Sequence, residues 1–305
     1  MHKSVLLFLA ALLCSGLCAQ KSEKIFLDKA DSTHNYYTTI TPPKLTWKGF
    51  LVLLPGFGED AANVMNQTKL PLTAARNGLF VIIPTLQDGV LSLGADSASQ
   101  QTLNTVISHA SDRYKLQDLP FYIGGFSIGG TTAIKFAENN PAKPKAVFAI
   151  DPPLDFEHFY LASERNIRLS VNTPPNPESV YMINRLQQVT GGTPQTARAA
   201  YYQLSPYSYS DTTQQAIKKI VNVPVRIYSE PDIHWWMKER GFDLTQINVT
   251  ECSVMINELN LLGSTKSELI LTQNKGYRKP DNHRHPHSWS IAESDELVKW
   301  LMSTH

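Results

Sequence analysis

The stretch Phe121–Thr131, FYIGGFSIGGT, is the most informative part of the sequence for predicting the fold. An apolar run ends on Ser127, which stands between glycines in the pattern GFSIG. Small residues at these positions allow a sharp strand-to-helix turn that exposes the serine hydroxyl as a nucleophile. A glycine-rich turn that merely contains a serine would have the same local sequence, so the rest of the chain has to distinguish the two.

The composition is that of a globular protein with nearly balanced charge. The chain has 305 residues, of which 42% are hydrophobic, enough for one large core or two small ones. With 28 Lys and Arg against 27 Asp and Glu, the formal net charge is +1. A nucleic-acid-binding protein normally carries a basic excess on one face, so no nucleic-acid partner is expected.

The first residues, MHKSVLLFLAALLCSGLCAQ, predict a secretory signal peptide over residues 1–19, cleaved after Ala19. The apolar run is too short to span a membrane, so we expect a secreted or periplasmic protein with no stable membrane anchor. A lipoprotein with its lipid on Cys18 is the alternative, but Leu17 stands where a small residue is expected. Cleavage would leave Cys252 as the single cysteine, which excludes an internal disulfide.

The remaining chain, residues 20–305, alternates short apolar runs with helical patterns and is expected to form one domain. Runs such as GFLVLLP, GLFVIIP and KAVFAID are typical of strands buried on both faces. This order predicts an α/β fold with a mostly parallel central sheet and helices on both faces. A helical, Pro-rich insertion at about 155–210 is expected to cap the carboxyl edge of the sheet. The sequence Ser290-Ile-Ala-Glu293 predicts a capping box that opens the closing helix.

Residues that directly follow the strands are the ones to examine, because ligands bind outside the carboxyl ends of parallel strands. A serine hydroxyl needs a histidine to accept its proton, and the histidine needs a carboxylate to orient it. The chain supplies these residue types in the order serine, acid, histidine. Ser127 ends one apolar run, SEPD (229–232) ends a later one, and HRHPH (283–287) precedes the closing helix.

With these features the chain resembles the α/β-hydrolase superfamily, and in particular its secreted serine esterases and lipases, over essentially all of residues 20–305. The resemblance rests on the GFSIG elbow, the strand-end SEPD and a histidine before the closing helix. It implies an α/β-hydrolase fold and a catalytic domain that cleaves a carboxylic ester through an acyl-enzyme, with no cofactor. The implied partner is a small-molecule ester or acyl substrate, and the oligomeric state stays open.

The triad acid has three candidates. Superfamily members often carry a Gly-x-x-Asp turn after this strand, and SEPD matches it with Ser229 in place of glycine, which favours Asp232. Glu230 is the alternative acid, although its place near the strand also suits a buried, paired carboxylate. Asp151, after the preceding strand, is the third candidate, and Pro152-Pro153 beside it suggest a structural bend.

The histidine cluster also offers three choices, His283, His285 and His287. His287 lies three residues before Ser290, at the loop position from which the superfamily's histidine reaches the serine, and is the expected base. His285 is the alternative base, although the proline after it stiffens the loop. Alternating histidines also admit a metal site, but no cysteine and no helical His pair bearing a Glu accompanies them, so no metal is expected.

Two backbone amides are expected to bind the oxyanion, as the resemblance implies. One belongs to Ile128, after the nucleophile, and the other to Phe57 in the loop PGFG, with Gly58 next. Three aromatic side chains are candidates for the substrate pocket, although paired tryptophans are also typical of a core: Trp235, Trp236 and Tyr160.

The same sequence leaves two other functions open. An exported peptidase or amidase would use the same machinery, and a catalytically silent binding protein would use the same fold. Arg165 and Arg168 in the insertion are candidates for contacting an anionic substrate group, or they are solvated.

Overall fold

The computed structural model of the chain describes residues 21–44, 46–170 and 174–304. The predicted signal peptide, residues 1–19, lies outside the described residues, so it stays a prediction. Within the described ranges, no helix combines the length and the apolar character needed to cross a membrane.

Eight strands form the central sheet. In chain order they are β1 (Lys21–Phe26), β2 (Tyr36–Thr41), β3 (Gly49–Leu54), β4 (Leu79–Thr85), β5 (Phe121–Phe126), β6 (Ala146–Ile150), β7 (Val225–Ser229) and β8 (Ser267–Leu271). The spatial order is β1-β2-β4-β3-β5-β6-β7-β8. The pairs β1/β2 and β2/β4 are antiparallel, and β4, β3, β5, β6, β7 and β8 run parallel. A small hairpin, β9 (Tyr277–Arg278) with β10 (His283–Arg284), follows β8.

Helices cover both faces of the sheet. They are α1 (Ala61–Gln67), α2 (Leu70–Arg76), α3 (Ser97–Tyr114), α4 (Ile128–Asn139), α5 (Phe156–Leu169), α6 (Pro177–Thr190), α7 (Arg198–Leu204), α8 (Gln215–Lys218), α9 (Ile233–Arg240), α10 (Val249–Leu261) and α11 (Ser294–Ser303). Two short 3-10 turns lie at Leu244–Gln246 and Trp289–Ile291. Helices α3, α4, α8 and α10 bury apolar side chains on one face, and α1, α2 and α11 do so on the other.

The central strands are buried along their whole length, from β3 and β4 through β5, β6 and β7. Their side chains alternate between two apolar cores, one on each face of the sheet. Continuous apolar runs suit this position because helices exclude water from both faces. The predicted α/β architecture with a mostly parallel sheet is therefore confirmed.

Helices α5, α6 and α7 carry a third apolar cluster above the carboxyl edge of the sheet. Phe156, Tyr160, Met182 and Tyr201 are buried in it. Ile128, at the start of α4, belongs to the same cluster. The first turn of the helix after Ser127 therefore packs directly against these cap helices.

The closing helix begins later than the capping-box pattern predicts. Helix α11 starts at Ser294 and is capped by Glu293, whose carboxylate accepts hydrogen bonds from two amides of the first turn. The Ser290 hydroxyl instead accepts from the amide of Tyr277 at 2.8 Å. The predicted Ser290–Glu293 capping box is wrong, because Ser290 links the β9 hairpin to the chain before α11.

Candidate active site

Ser127 occupies a strained turn between β5 and α4. Its backbone has φ 52° and ψ −126°, a combination that residues with a side chain rarely adopt. The amide of Ser127 donates to the carbonyl of Ile150 at 2.8 Å, so the turn is tied to the end of the neighbouring strand β6. This is the sharp strand-to-helix turn that the GFSIG motif predicts, and it separates Ser127 from a serine in an ordinary glycine-rich turn.

The two flanking glycines are required by the close approach of β3 to this turn. A Cβ atom on Gly125 would lie 2.4 Å from the carbonyl oxygen of Leu54, and one on Gly129 would lie 2.2 Å from the same atom. No side chain fits at either position without moving backbone. The glycines therefore bring the loop after β3 against the start of α4.

That approach places two free amides next to the elbow. Among the hydrogen bonds of the described residues, none is donated by the amide of Phe57 or of Ile128. The amide of Gly58 donates to the carbonyl of Val90 at 2.8 Å, which removes Gly58 as an alternative donor. The arrangement leaves the Phe57 and Ile128 amides as candidate oxyanion donors.

Glu59 joins the loop after β3 to the loop that carries His287. One carboxylate oxygen, Oε2, accepts from the amide of Gly56 at 3.0 Å and from the indole N–H of Trp289 at 2.9 Å. Trp289 is buried and packs against Phe126 of β5, with the two rings tilted by 39° and their centroids 5.3 Å apart. The candidate oxyanion loop and the histidine loop are thus fixed to each other by one carboxylate.

Asp151 is the carboxylate that contacts His287. Its Oδ2 lies 2.6 Å from His287 Nδ1, a short distance typical of a charge-assisted hydrogen bond. The other oxygen, Oδ1, accepts from the hydroxyl of Ser229 at 2.6 Å, and the carbonyl accepts from the side-chain amide of Asn248 at 2.8 Å. Asp151 has φ 48° and is 6% exposed, so the surrounding contacts hold it in an unfavourable backbone conformation.

The expected pairing of Asp232 with His287 is not found. Asp232 caps α9 by accepting from the amide of Trp235 at 3.1 Å, and its other oxygen pairs with Arg284 at 2.7 Å. The alternative, Glu230, also pairs with Arg284, at 2.6 Å. It further accepts from the backbone amides of residues 275 and 276, so it is a buried structural carboxylate. Both carboxylates of SEPD are bound to other groups, which leaves Asp151 for the histidine.

The other two histidines have different surroundings. His283 is exposed and pairs with Asp281 at 2.9 Å. His285 is 4% exposed, and its Nε2 lies 3.3 Å from a guanidinium nitrogen of Arg240. Burial, followed by the charge of Arg278, lowers the pKa of His285 to about 2, so this ring is neutral. Among the described residues, no carboxylate forms a hydrogen bond with His285, so its position does not suit the alternative role of base.

The three histidines do not converge on one point. Within the part of the chain that the structure describes, no three His, Cys, Asp or Glu side chains are grouped to hold a metal ion. The rings of His283 and His285 are 6.3 Å apart, and those of His285 and His287 are 6.4 Å apart. Each ring has its own partner instead of sharing one centre.

A cavity of about 190 Å³ opens between the elbow, the cap helices and the histidine loop. Ser127, Ile128, Asp151 and His287 all line it, which places the candidate nucleophile and base on one surface. No hydrogen bond joins the Ser127 hydroxyl to His287 among the described residues, and catalytic hydrogen bonds are often long before substrate binds. Apolar walls come from five further side chains: Phe159, Met182, Trp236, Phe242 and Ile247.

The predicted pocket residues are only partly found at this cavity. Trp236 lines it, whereas Trp235 packs edge-on against Trp236 and beside His285. Tyr160 is 2% exposed inside the cap core, with its hydroxyl on Gln187, so its prediction as a pocket wall is wrong. Because the Tyr160 ring is buried in the packing between cap helices, it has no surface that a substrate could contact.

The cavity wall also carries two arginines, Arg240 and Arg278, that the sequence did not single out. Nothing in the local pattern distinguishes them from solvated arginines, because only the packing of α9 and the β9 hairpin brings them to the cavity. Of the cap arginines that the sequence suggested, Arg165 pairs with Asp243 at 2.9 Å and Arg168 is exposed. Neither of these two lines the cavity.

No known family description and no curated protein matches this sequence. Solved structures do match. An S-formylglutathione hydrolase from Agrobacterium tumefaciens has a TM-score of 0.56 at 17% identity, covering 88% of this chain and 89% of that one. A fluorophosphonate-binding serine hydrolase of Staphylococcus aureus, hydrolase F, has a TM-score of 0.59 at 15% identity, covering 92% and 99%. A carboxyl esterase of Bacillus coagulans has a TM-score of 0.51 at 15% identity, covering 92% and 97%.

These similarities and the order of strands in the sheet show that the chain has the α/β-hydrolase fold. At this level of identity they show the fold alone, and the chemistry has to be argued from the site.

Proposed function

We propose that the protein is a serine hydrolase that cleaves carboxylic esters with Ser127 as nucleophile, His287 as base and Asp151 as the orienting acid. One observation carries the proposal. The strained elbow serine and the Asp151–His287 pair, with its 2.6 Å contact, line the same cavity. Strain at a hydroxyl-bearing residue is retained where function requires that geometry.

The first half of the reaction uses each of these groups once. Asp151 accepts a hydrogen bond from the Nδ1–H of His287, so the ring keeps that proton and its Nε2 is left free to accept another. The Ser127 oxygen bonds to the ester carbonyl carbon while its proton moves to Nε2 of His287. The carbonyl π electrons move to oxygen, and the free amides of Phe57 and Ile128 donate to that oxyanion.

The second half returns the enzyme to its starting state. The oxyanion re-forms the carbonyl, the alcohol leaves with the proton from His287, and an acyl group remains on Ser127. Water then attacks this acyl-enzyme while His287 takes one of its protons. The acid product leaves as the proton returns to the Ser127 oxygen.

The names of the structural neighbours support hydrolysis as the reaction class. They comprise an S-formylglutathione hydrolase, a fluorophosphonate-binding serine hydrolase and a carboxyl esterase. The amide-cleaving alternative uses the same intermediate, so a paired ester and anilide of one acyl group separates the two activities.

Labelling with a fluorophosphonate tests the nucleophile directly. We expect a covalent adduct on the peptide that contains Ser127, and no adduct on the Ser127→Ala protein. The labelled protein should also lose ester hydrolysis in proportion to the adduct formed. An unlabelled, inactive protein that is folded would instead support the silent binding protein, and a faster anilide than ester would support the amidase.

We further propose that the chain is exported and cleaved after Ala19. The first strand, β1, begins at Lys21, so removal of residues 1–19 leaves the edge of the sheet intact. The mass of the protein recovered from the periplasm or medium tests this proposal. A mature N-terminus inside β1, or retention of the full leader in an exported protein, would contradict it.

A further inference from the structure

Arg278 places a positive charge without an ion-pair partner at the active-site cavity. Its Nε and Nη2 donate to the carbonyl oxygen of His287 at 3.1 and 2.9 Å. Among the described residues it makes no ion pair, and the carboxylates whose charges act on it are Glu59 and Glu178. Burial lowers the pKa of Arg278, which reflects a guanidinium removed from water.

Arg240 brings a second positive charge to the same wall. It ends α9, and its Nη2 lies 3.3 Å from Nε2 of His285, which also lines the cavity. Like Arg278, it makes no ion pair within the described residues. Its position in the last turn of a helix is favourable for a cation, but that alone does not direct the group toward a cavity.

His285 separates the two guanidinium groups without adding a charge. The ring is 4% exposed, and its Nδ1 has no hydrogen-bond partner among the described residues. The nearby Arg284 shows the contrast, because its charge is balanced by Glu230 and Asp232. Within the described ranges, the two arginines at the cavity therefore make no ion pair, whereas Arg284, just outside it, pairs with two carboxylates.

Three carboxylates lie at or near the cavity. Asp151 binds His287 and Ser229, and Glu59 accepts from Gly56 and Trp289. Glu178, at the start of α6, also lines the cavity, but it is exposed to solvent and forms no ion pair among the described residues. Arg278 is partly buried at the cavity, and Arg240 adds a solvent-exposed positive charge to the same wall, so an anionic group on the substrate would meet two guanidinium groups there.

We infer that the substrate is a small ester that carries a carboxylate, which Arg278 and Arg240 bind. This inference deepens the proposed ester hydrolysis and rests on it. The cavity of about 190 Å³ is below the roughly 300–1,000 Å³ common for ligand sites, which favours a short acyl or alcohol group. The apolar walls contact the carbon chain, and the two guanidinium groups hold its charged end.

Matched esters test the inference, with the carboxylate on either side of the scissile bond. In one arm, kcat/KM is compared for mono(4-nitrophenyl) adipate and 4-nitrophenyl hexanoate. In the other arm, it is compared for 3-acetoxybenzoate and phenyl acetate. We expect the anionic ester to be preferred about tenfold or more in one of the two arms, which identifies the side that carries the charge.

Arginine variants show whether these residues cause the preference. Arg278→Met and Arg240→Met should each reduce the anionic-to-neutral ratio about tenfold, while Arg168→Met, on the exposed cap surface, should leave it unchanged. The ratio is the right measure because disturbance of His287 through the Arg278 contact lowers both rates together. Equal rates for both esters in both arms, or a ratio that survives both substitutions, would overturn the inference.

A binding measurement separates this inference from the catalytic proposal. Monomethyl adipate and methyl hexanoate are titrated into the Ser127→Ala protein by calorimetry, where no turnover occurs. We expect the anionic ester to bind more tightly, with an advantage that decreases as salt is added and is lost in Arg278→Met. Turnover of neutral esters without this advantage would leave the hydrolase intact and overturn the anionic subsite. Binding of the anion with no Ser127 labelling would keep the subsite and overturn the catalytic proposal.

Discussion

Asp151 Oδ2 and His287 Nδ1 lie 2.6 Å apart although 136 positions separate the residues in sequence. The contact follows from the order of strands, because Asp151 directly follows β6, and β6 pairs with β5, which Ser127 directly follows. Hydrogen bonds from Ser229 and Asn248 hold Asp151 from the opposite side. The acid of the proposed triad therefore comes from the strand next to the nucleophile.

Replacing each candidate acid in turn should show whether Asp151 or Asp232 orients His287. We expect Asp151→Asn to lower kcat on a neutral 4-nitrophenyl ester on the order of 10³- to 10⁴-fold, because an amide donates where a carboxylate accepts and favours the wrong tautomer of His287. Asp232→Asn keeps the shape of the α9 cap and should lower kcat less than about tenfold. Circular dichroism of both variants controls for folding. A larger loss of kcat for Asp232→Asn than for Asp151→Asn would identify Asp232, in the SEPD turn, as the triad acid.

Ser127 should be essential for turnover and unfavourable for stability. Ser127→Ala should abolish ester hydrolysis while its melting temperature stays close to that of the parent, because both residues tolerate φ 52° equally poorly. Ser127→Gly should be equally inactive but melt higher than Ser127→Ala, since glycine adopts positive φ without strain. Calorimetry and an ester assay on the three proteins measure both effects. Undiminished activity in Ser127→Ala would reject the nucleophile.

Substitutions within the histidine cluster should have very different effects on the rate, depending on which histidine is replaced. His287→Ala should cost nearly as much rate as Ser127→Ala, and the double variant should lose little more, because the two groups act as one unit. The exposed His283 provides the matched control, and His283→Ala should keep most of the activity on a neutral ester. The parent rate should fall in acid, where a protonated imidazole cannot accept the serine proton. Equal losses at both histidines would contradict a single base.

The same proteins allow a direct check for metal dependence. The proposed mechanism uses protein groups and water, so we expect full activity after prolonged treatment with a chelator. Loss of activity on chelation followed by recovery with added zinc would contradict it.

The cap should be attached to the core in a pH-dependent way through His158 of α5 and Glu251 of α10. The hydrogen bond to Glu251 raises the pKa of His158 above its ordinary value. Because the folded-state pKa is the higher one, this stabilisation is complete below the unfolded pKa of about 6.5 and is lost as pH rises through the folded value. His158→Gln should therefore lower the melting temperature by about 2–4 °C at pH 6 and by less at pH 9.

The exposed His234 provides the control for that measurement. His234→Gln should leave the melting temperature unchanged at both pH values. An effect of His158→Gln that grows toward pH 9 would contradict the assigned sign.

Much of the fold could be predicted because its signals are local. The apolar runs of β3, β4, β5 and β6 identify strands covered on both faces, and the glycines around Ser127 identify the turn that only they permit. The start of α11 was predicted wrongly because Ser290 has the residue type of a cap. Its hydroxyl is used by Tyr277 across the β9 hairpin, a contact that no local pattern records.

The pocket was the least predictable part because its lining also depends on contacts between residues that are distant in sequence. Tyr160 and Trp236 are both aromatic residues at helical positions, yet one fills the cap core and the other lines the cavity. Arg165 and Arg278 are both cations, but Asp243 neutralises the first, and the second has no ion-pair partner among the described residues. Which wall a side chain reaches depends on how the cap helices sit above the sheet.

The sequence by itself determined the sheet, the elbow, the candidate nucleophile and the candidate base, because period, glycine placement and chain order are properties of neighbouring residues. Only the tertiary structure decided which carboxylate meets His287. Three acids follow the two adjacent parallel strands β6 and β7 at one edge of the sheet, and the sequence pattern favoured Asp232, which is not the one that contacts His287. Arg284 resolves the choice by pairing with Glu230 and Asp232, and the charge that remains available at that edge is that of Asp151.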